Sequence, residues 1–121
     1  MSLHEWLTNG WLRRHQTSRE EVVDLLAVIR RDLTESANVS VDDDWRFTMA
    51  YNAALQCAYL ALKASAYDLP KGGGFHQRAI DSLRFTVAAD LATINTLQAF
   101  RTKRGGGMYE HVGIASKSEI N

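Results

Sequence analysis

The chain has one cysteine and one proline in 121 residues, and no excess of either charge: fourteen lysines and arginines meet fourteen aspartates and glutamates. A single Cys57 cannot close an internal disulfide, and within an apolar stretch it reads as a small buried hydrophobe rather than a nucleophile. A formal net charge of zero excludes attraction of the whole molecule to nucleic acid or anionic lipid, so any such binding must be local. Long hydrophobic runs are missing as well. No segment approaches the roughly 20 apolar residues that cross a bilayer. The start, Met1-Ser2-Leu3-His4-Glu5-Trp6, has neither a basic region followed by an apolar run nor a small-residue cleavage site. A cytoplasmic protein without membrane contact is expected. Without repeats or low-complexity tracts, residues 1–121 read as one domain around one core.

Metal-ligand spacing is lacking too. His4, His15, His76 and His111 are scattered, with no pair three or four apart and no Cys-x-x-Cys, so no metal site is expected. The acidic triplet Asp42-Asp43-Asp44 precedes no glycine-centred loop of the kind that binds calcium. Lys71-Gly72-Gly73-Gly74 lacks the spacing and preceding strand of a phosphate-binding loop; it reads as a flexible interhelical loop, although its amides precede a helix start and could receive an anion. No cofactor is implied.

What is present is a helix on which the rest can be organised. Over residues 43–66 the polar positions Thr48, Asn52, Gln56, Tyr59 and Lys63 recur at steps of four, four, three and four, and the remaining circumference is largely apolar. Such a helix must be buried on most sides. Its stripe is either an exposed edge or the lining of a cleft. The acidic triplet supplies an N-cap, and Leu69-Pro70 with the glycines that follow is the expected stop.

Around it, residues 2–15 read as an interrupted amphipathic helix carrying Trp6 and Trp11, broken at Asn9-Gly10 and closed by the basic Arg13-Arg14-His15. A second helix opens with a capping box, Thr17 with Glu20 or Ser18 with Glu21, and ends near Asn38 as a left-handed cap. Val22, Val23, Leu25, Leu26, Val28, Ile29 and Leu33 form its expected buried face, with Asp24, Arg30, Arg31 and Asp32 on the solvated side. Residues 75–104 carry helical spacing in Ile80, Leu83, Val87, Leu91, Ile94, Leu97 and Phe100. Thirty residues would run about 45 Å, so a break is expected at residues 86–90, with Asp90 capping the new start. No alternation indicates a strand. The fold class is all-α, an up-and-down four-helix bundle whose central pair is residues 43–66 and 75–104. Near the end, Ser116-Lys117-Ser118-Glu119 is a further capping box, yet the sequence given stops at Asn121, so the last helix is expected to be shortened or missing.

Chemistry concentrates at Phe100-Arg101-Thr102-Lys103-Arg104, followed by three glycines and then Met108-Tyr109-Glu110-His111. Three cations in four residues at a helix end, a turn that lets the chain fold back, then a phenol and an imidazole make a phosphate-contacting site with a proton-transfer partner. Arg101 and Arg104 stand one turn apart, and Asn52 is a candidate floor. A basic helix C-terminus with a loose loop is the plainer alternative.

The chain resembles the HEPN domain, a small helical bundle of toxin–antitoxin pairs and of proteins encoded beside minimal nucleotidyltransferases. The resemblance covers about residues 41–116. It rests on Tyr51-Asn52-Ala53-Ala54, Lys71-Gly72-Gly73-Gly74-Phe75-His76, Arg78-Ala79-Ile80-Asp81-Ser82-Leu83, and Phe100-Arg101-Thr102-Lys103-Arg104 with Tyr109. In that family an arginine, four to six residues and a histidine, paired across a homodimer, form a metal-independent ribonuclease centre. Here Tyr109 takes the four-residue place after Arg104, and His111 fits only at six. The resemblance therefore implies a module binding nucleotide, RNA or a partner protein, with a degenerate motif of Arg104, Tyr109 and His111 and phosphate contacts from Arg101, Arg104 and Asn52. The alternative is an active ribonuclease, the toxin of a pair, with an antitoxin or nucleotidyltransferase as partner. A subunit with no ligand is a third reading.

Overall fold

A computed structural model describes residues 1–70 and 75–107, without the side chains of 104–107. Five helices account for most of it: α1 (Leu3–Thr8), α2 (Arg19–Ser36), α3 (Asp43–Ala64), α4 (Phe75–Thr86) and α5 (Leu91–Gly107). Two short strands, β1 (Arg13–Arg14) and β2 (Tyr67–Asp68), pair antiparallel. The class is all-α apart from this bridge.

The helix starts follow the capping chemistry. Ser18 accepts from the Glu21 amide at 3.2 Å while the Glu21 side chain accepts from the Ser18 amide, which selects Ser18 with Glu21 as the capping box. Asp42 Oδ1 accepts from the Trp45 amide at 2.9 Å and Asp90 Oδ1 from the Thr93 amide at 2.8 Å. The expected break between α4 and α5 is there. Ala88 turns through φ +55°, and the Ala89 amide returns to the Leu83 carbonyl.

Several stops depart from expectation. α1 ends at Thr8, where Gly10 at φ +79° lets the Gly10 and Trp11 amides bond back to the Leu7 and Trp6 carbonyls. Arg13 and Arg14 consequently lie in a strand and do not close a helix. α3 stops at Ala64 through Ala66 at φ +68°, ahead of the Leu69-Pro70 stop, because the chain must turn early to lay β2 beside β1. α2 ends at Ser36, and Asn38 does not adopt the left-handed conformation; its Oδ1 accepts from the amide and hydroxyl of Ser40.

α3 is the hub. It touches α2, α4, α5 and β2, but its longest seam is with α2, so the central pair is α2 with α3 rather than α3 with the helices of residues 75–104. One buried cluster takes Tyr51, Leu55, Ala58 and Leu62 from α3, Ala79, Ile80 and Leu83 from α4, and Trp6, Leu12, Leu69 and Ile94 from the rest. Trp6 meets Phe85 edge-on at 5.5 Å, so the N-terminal helix seals the core at α4. Phe47 and Phe100 make a second edge-on pair at 5.2 Å that joins α3 to α5.

Phase overrides residue type on α2. Ile29, Asp32 and Ser36 are its buried residues, while Val23 and Leu33 are about half exposed. Steps of three and four from Ile29 reach Asp32 and Ser36, so Asp32 falls on the inner face although it is charged. Its Oδ1 accepts two bonds from the exposed Arg31 guanidinium, which keeps the buried carboxylate paired. Cys57 is exposed, not buried; its neighbours still desolvate the thiol enough to raise its pKa. Val87 and Leu91 are exposed because the break between α4 and α5 resets the helical phase.

Candidate functional site

Arg101 lies on α5, half-buried, and its Nε donates to Gln98 Oε1 at 2.7 Å. Gln98 is held in turn: its Nε2 donates to the Gln77 carbonyl at 2.9 Å and to Asp81 Oδ1 at 2.8 Å, both on α4. The chain Asp81–Gln98–Arg101 thus fixes the plane of the guanidinium from the next helix. With Nε engaged, the outer edge formed by the two Nη atoms is the part that can grip two oxygens of a phosphate. Lys103 Nζ stands 5.8 Å from the centroid of the Phe47 ring, which lays its stem along the α3–α5 contact.

Arg104 is within α5, one turn beyond Arg101. Tyr109 and His111 lie outside the described residues, as do Lys71-Gly72-Gly73-Gly74 and Ser116-Lys117-Ser118-Glu119. The expected convergence of Arg104 with Tyr109 or His111 therefore falls outside the described part of the chain. Asn52 is half-buried on α3. It stands five residues after Phe47, the residue that meets α5, and at about 100° per residue this turns it about 140° away. Among the described residues it makes no hydrogen bond with Arg101.

The polar stripe of α3 resolves into the lining of a cleft over its second half. Gln56, Tyr59 and Lys63 border an open space of about 270 Å³, closed by Leu25 of α2, Asp68 and Leu69 after α3, and Phe75 of α4. Thr48, at the other end of the stripe, is buried and donates to the Asp44 carbonyl at 3.0 Å.

Lys63 also borders a second cavity, of about 580 Å³, beside Arg14, His15 and Thr17. Here the structure builds a network that the sequence did not announce. His15 Nε2 and Lys63 Nζ meet the same Glu21 oxygen at 2.7 and 3.4 Å, and Thr17 Oγ1 donates to the Lys63 carbonyl at 2.6 Å. The His15 hydrogen bond, then the Ser18 amide and Lys63, hold the Glu21 carboxyl at about 2, well below its ordinary 4.5. Asp68 pairs with Arg13 at 2.9 Å and also accepts from the Leu69 amide at 2.8 Å. Burial works against its charge, but these bonds and nearby Lys63 outweigh burial and lower its pKa. Burial, then the proximity of Tyr51 and Asp68, raises the Tyr59 phenol, which keeps it a proton donor.

Gln98, Gln77 and Asp81 were not singled out from sequence, although Gln98 stands one turn before Arg101 and this spacing is a usable signal. The His15–Glu21–Lys63 network has no such local signal, because its members come from three separate segments. Comparison with protein-family models, curated proteins and solved structures finds no match. Among the described residues no group of three or more histidine, cysteine, aspartate or glutamate side chains could hold a metal ion, and no helix is long and apolar enough to cross a membrane.

Proposed function

We propose that this chain is a HEPN-like module that binds a nucleotide or RNA through the cations in the last turns of α5, with a degenerate catalytic motif. The reading is carried by one observation: Arg101 is oriented through Nε by a glutamine that α4 itself holds, with its two-pronged edge left for an anion. A guanidinium that only capped a helix would need no second helix to set its plane. Arg104, one turn on, would supply a second fork at the same helix end. In this reading α2 to α5 are the four helices of an up-and-down bundle and α1 is an addition to it. The protein acts in the cytoplasm as a homodimer or beside an antitoxin or nucleotidyltransferase. Val23, Leu33 and Trp45, each about half exposed, favour such an association, and light scattering measures it.

The test is a labelled single-stranded RNA incubated with the protein in EDTA, followed by anisotropy and by gel from the same sample. Binding without cleavage, weakened by Arg101→Ala and Arg104→Ala, is the expected result. Cleavage lost in Arg104→Ala would favour the metal-independent ribonuclease instead, with Tyr109 or His111 moving the proton. No binding and no cleavage would leave a structural subunit.

A further inference from the structure

We infer that the cleft between α2, α3 and α4 is a binding site for a small zwitterion with an apolar body, the chemical class of a free aliphatic α-amino acid. Opposite charges border one small space. Lys63 and Asp68 both line it, near enough for the Lys63 ammonium to favour the Asp68 carboxylate, yet no ion pair joins them. Each is instead tethered from behind, Lys63 by Glu21 at 3.4 Å and Asp68 by Arg13 at 2.9 Å. The tethers hold the two charges apart without exhausting them. An ammonium has three donors and only one is turned to Glu21, while each Asp68 oxygen keeps a lone pair beyond its one bond.

A ligand with only a negative charge would meet Lys63 but would also face Asp68. One with only a positive charge would meet the reverse. A zwitterion answers both, its carboxylate toward Lys63 and its ammonium toward Asp68. Gln56 and Tyr59 add an amide and a phenol for the remaining hydrogen bonds, and Leu25, Leu69 and Phe75 offer an apolar wall for the side chain. A space of 270 Å³ corresponds to about nine water volumes at roughly 30 Å³ each, which suits a molecule the size of leucine and excludes a nucleotide. This site is separate from the cations of α5 and does not depend on their role.

The probes are L-leucine, L-leucinamide, which lacks the carboxylate, and 4-methylpentanoate, which lacks the ammonium, each titrated into the full chain by NMR. Leucine is expected to give saturable shifts of the Leu25 and Leu69 methyl groups. Each truncated probe should bind about tenfold or more weakly, as expected for loss of a charged hydrogen bond. Lys63→Met and Asp68→Asn should weaken leucine by a similar factor while a melting curve shows the fold retained. Should either variant fail to fold, the three probes on the unaltered protein still decide the matter. Equal affinity for all three probes, or no saturable shift with leucine, would overturn the assignment.

Discussion

Lys63 Nζ lies 3.4 Å from Glu21 Oε2 although 42 residues separate them in sequence. This contact joins the first turn of α2 to the last turn of α3, and His15 adds the segment before α2 through the same oxygen. Three stretches of chain thus meet at one carboxylate, half-screened by solvent.

That carboxylate makes stability depend on pH in a definite direction. Because the folded value of about 2 lies below the ordinary 4.5, the contribution of Glu21 is complete above about pH 4.5 and is lost as pH falls through about 2. Glu21→Gln should lower the urea midpoint at neutral pH, and its deficit relative to the parent should shrink across that window. A constant deficit would show that the Glu21 charge does not contribute.

Ala58 is fully buried in α3, whereas Ala54, four residues earlier, is only half-buried. Ala58→Leu should overpack the core at a cost of about 1–3 kcal/mol. Ala54→Leu and Gln56→Ala should each cost clearly less. Urea midpoints measure the order, and equal shifts would place the close-packed face of α3 elsewhere.

Ala66 and Ala88 hold the left-handed backbone that ends α3 and separates α4 from α5. A side chain there costs about 1–2 kcal/mol in the folded state, against about 0.4–1 kcal/mol that glycine loses through a freer unfolded chain. Ala66→Gly and Ala88→Gly should therefore each raise the thermal midpoint slightly. A fall would mean that their methyl groups contribute packing that outweighs the strain.

Helix positions were legible in the sequence wherever a local signal decided them. Ser18 with Glu21, Asp42 and Asp90 are caps made within three residues, and each appears as expected. The strands were not legible, since two residues at Arg13 and two at Tyr67 are too short for any alternation to register, and only the turn at Ala66 brings them together. Asp32 and Cys57 were misplaced because their burial was read from residue type, whereas helical phase and the neighbouring helices decide it. At the candidate site Arg101 was legible as a cation at a helix end. Its orientation was not, because the Gln98–Asp81 bond that sets it crosses between two helices.

The central claim is that oriented guanidinium groups at the end of α5 bind phosphate, and the most direct measurement is the affinity for single-stranded RNA across a salt series. The parent chain should bind with log K falling linearly with log salt, and Arg101→Ala should both weaken binding and flatten that slope by about 0.7, the counterion release of one single-strand contact. Gln98→Leu, which leaves the charge but removes the bond orienting it, should weaken binding with little change of slope, and Arg104→Lys should likewise bind more weakly despite its retained charge. RNA affinity that is unaltered by Arg101→Ala and Arg104→Lys, or no binding by the parent chain at low salt, would contradict the claim and leave these cations as a helix terminus.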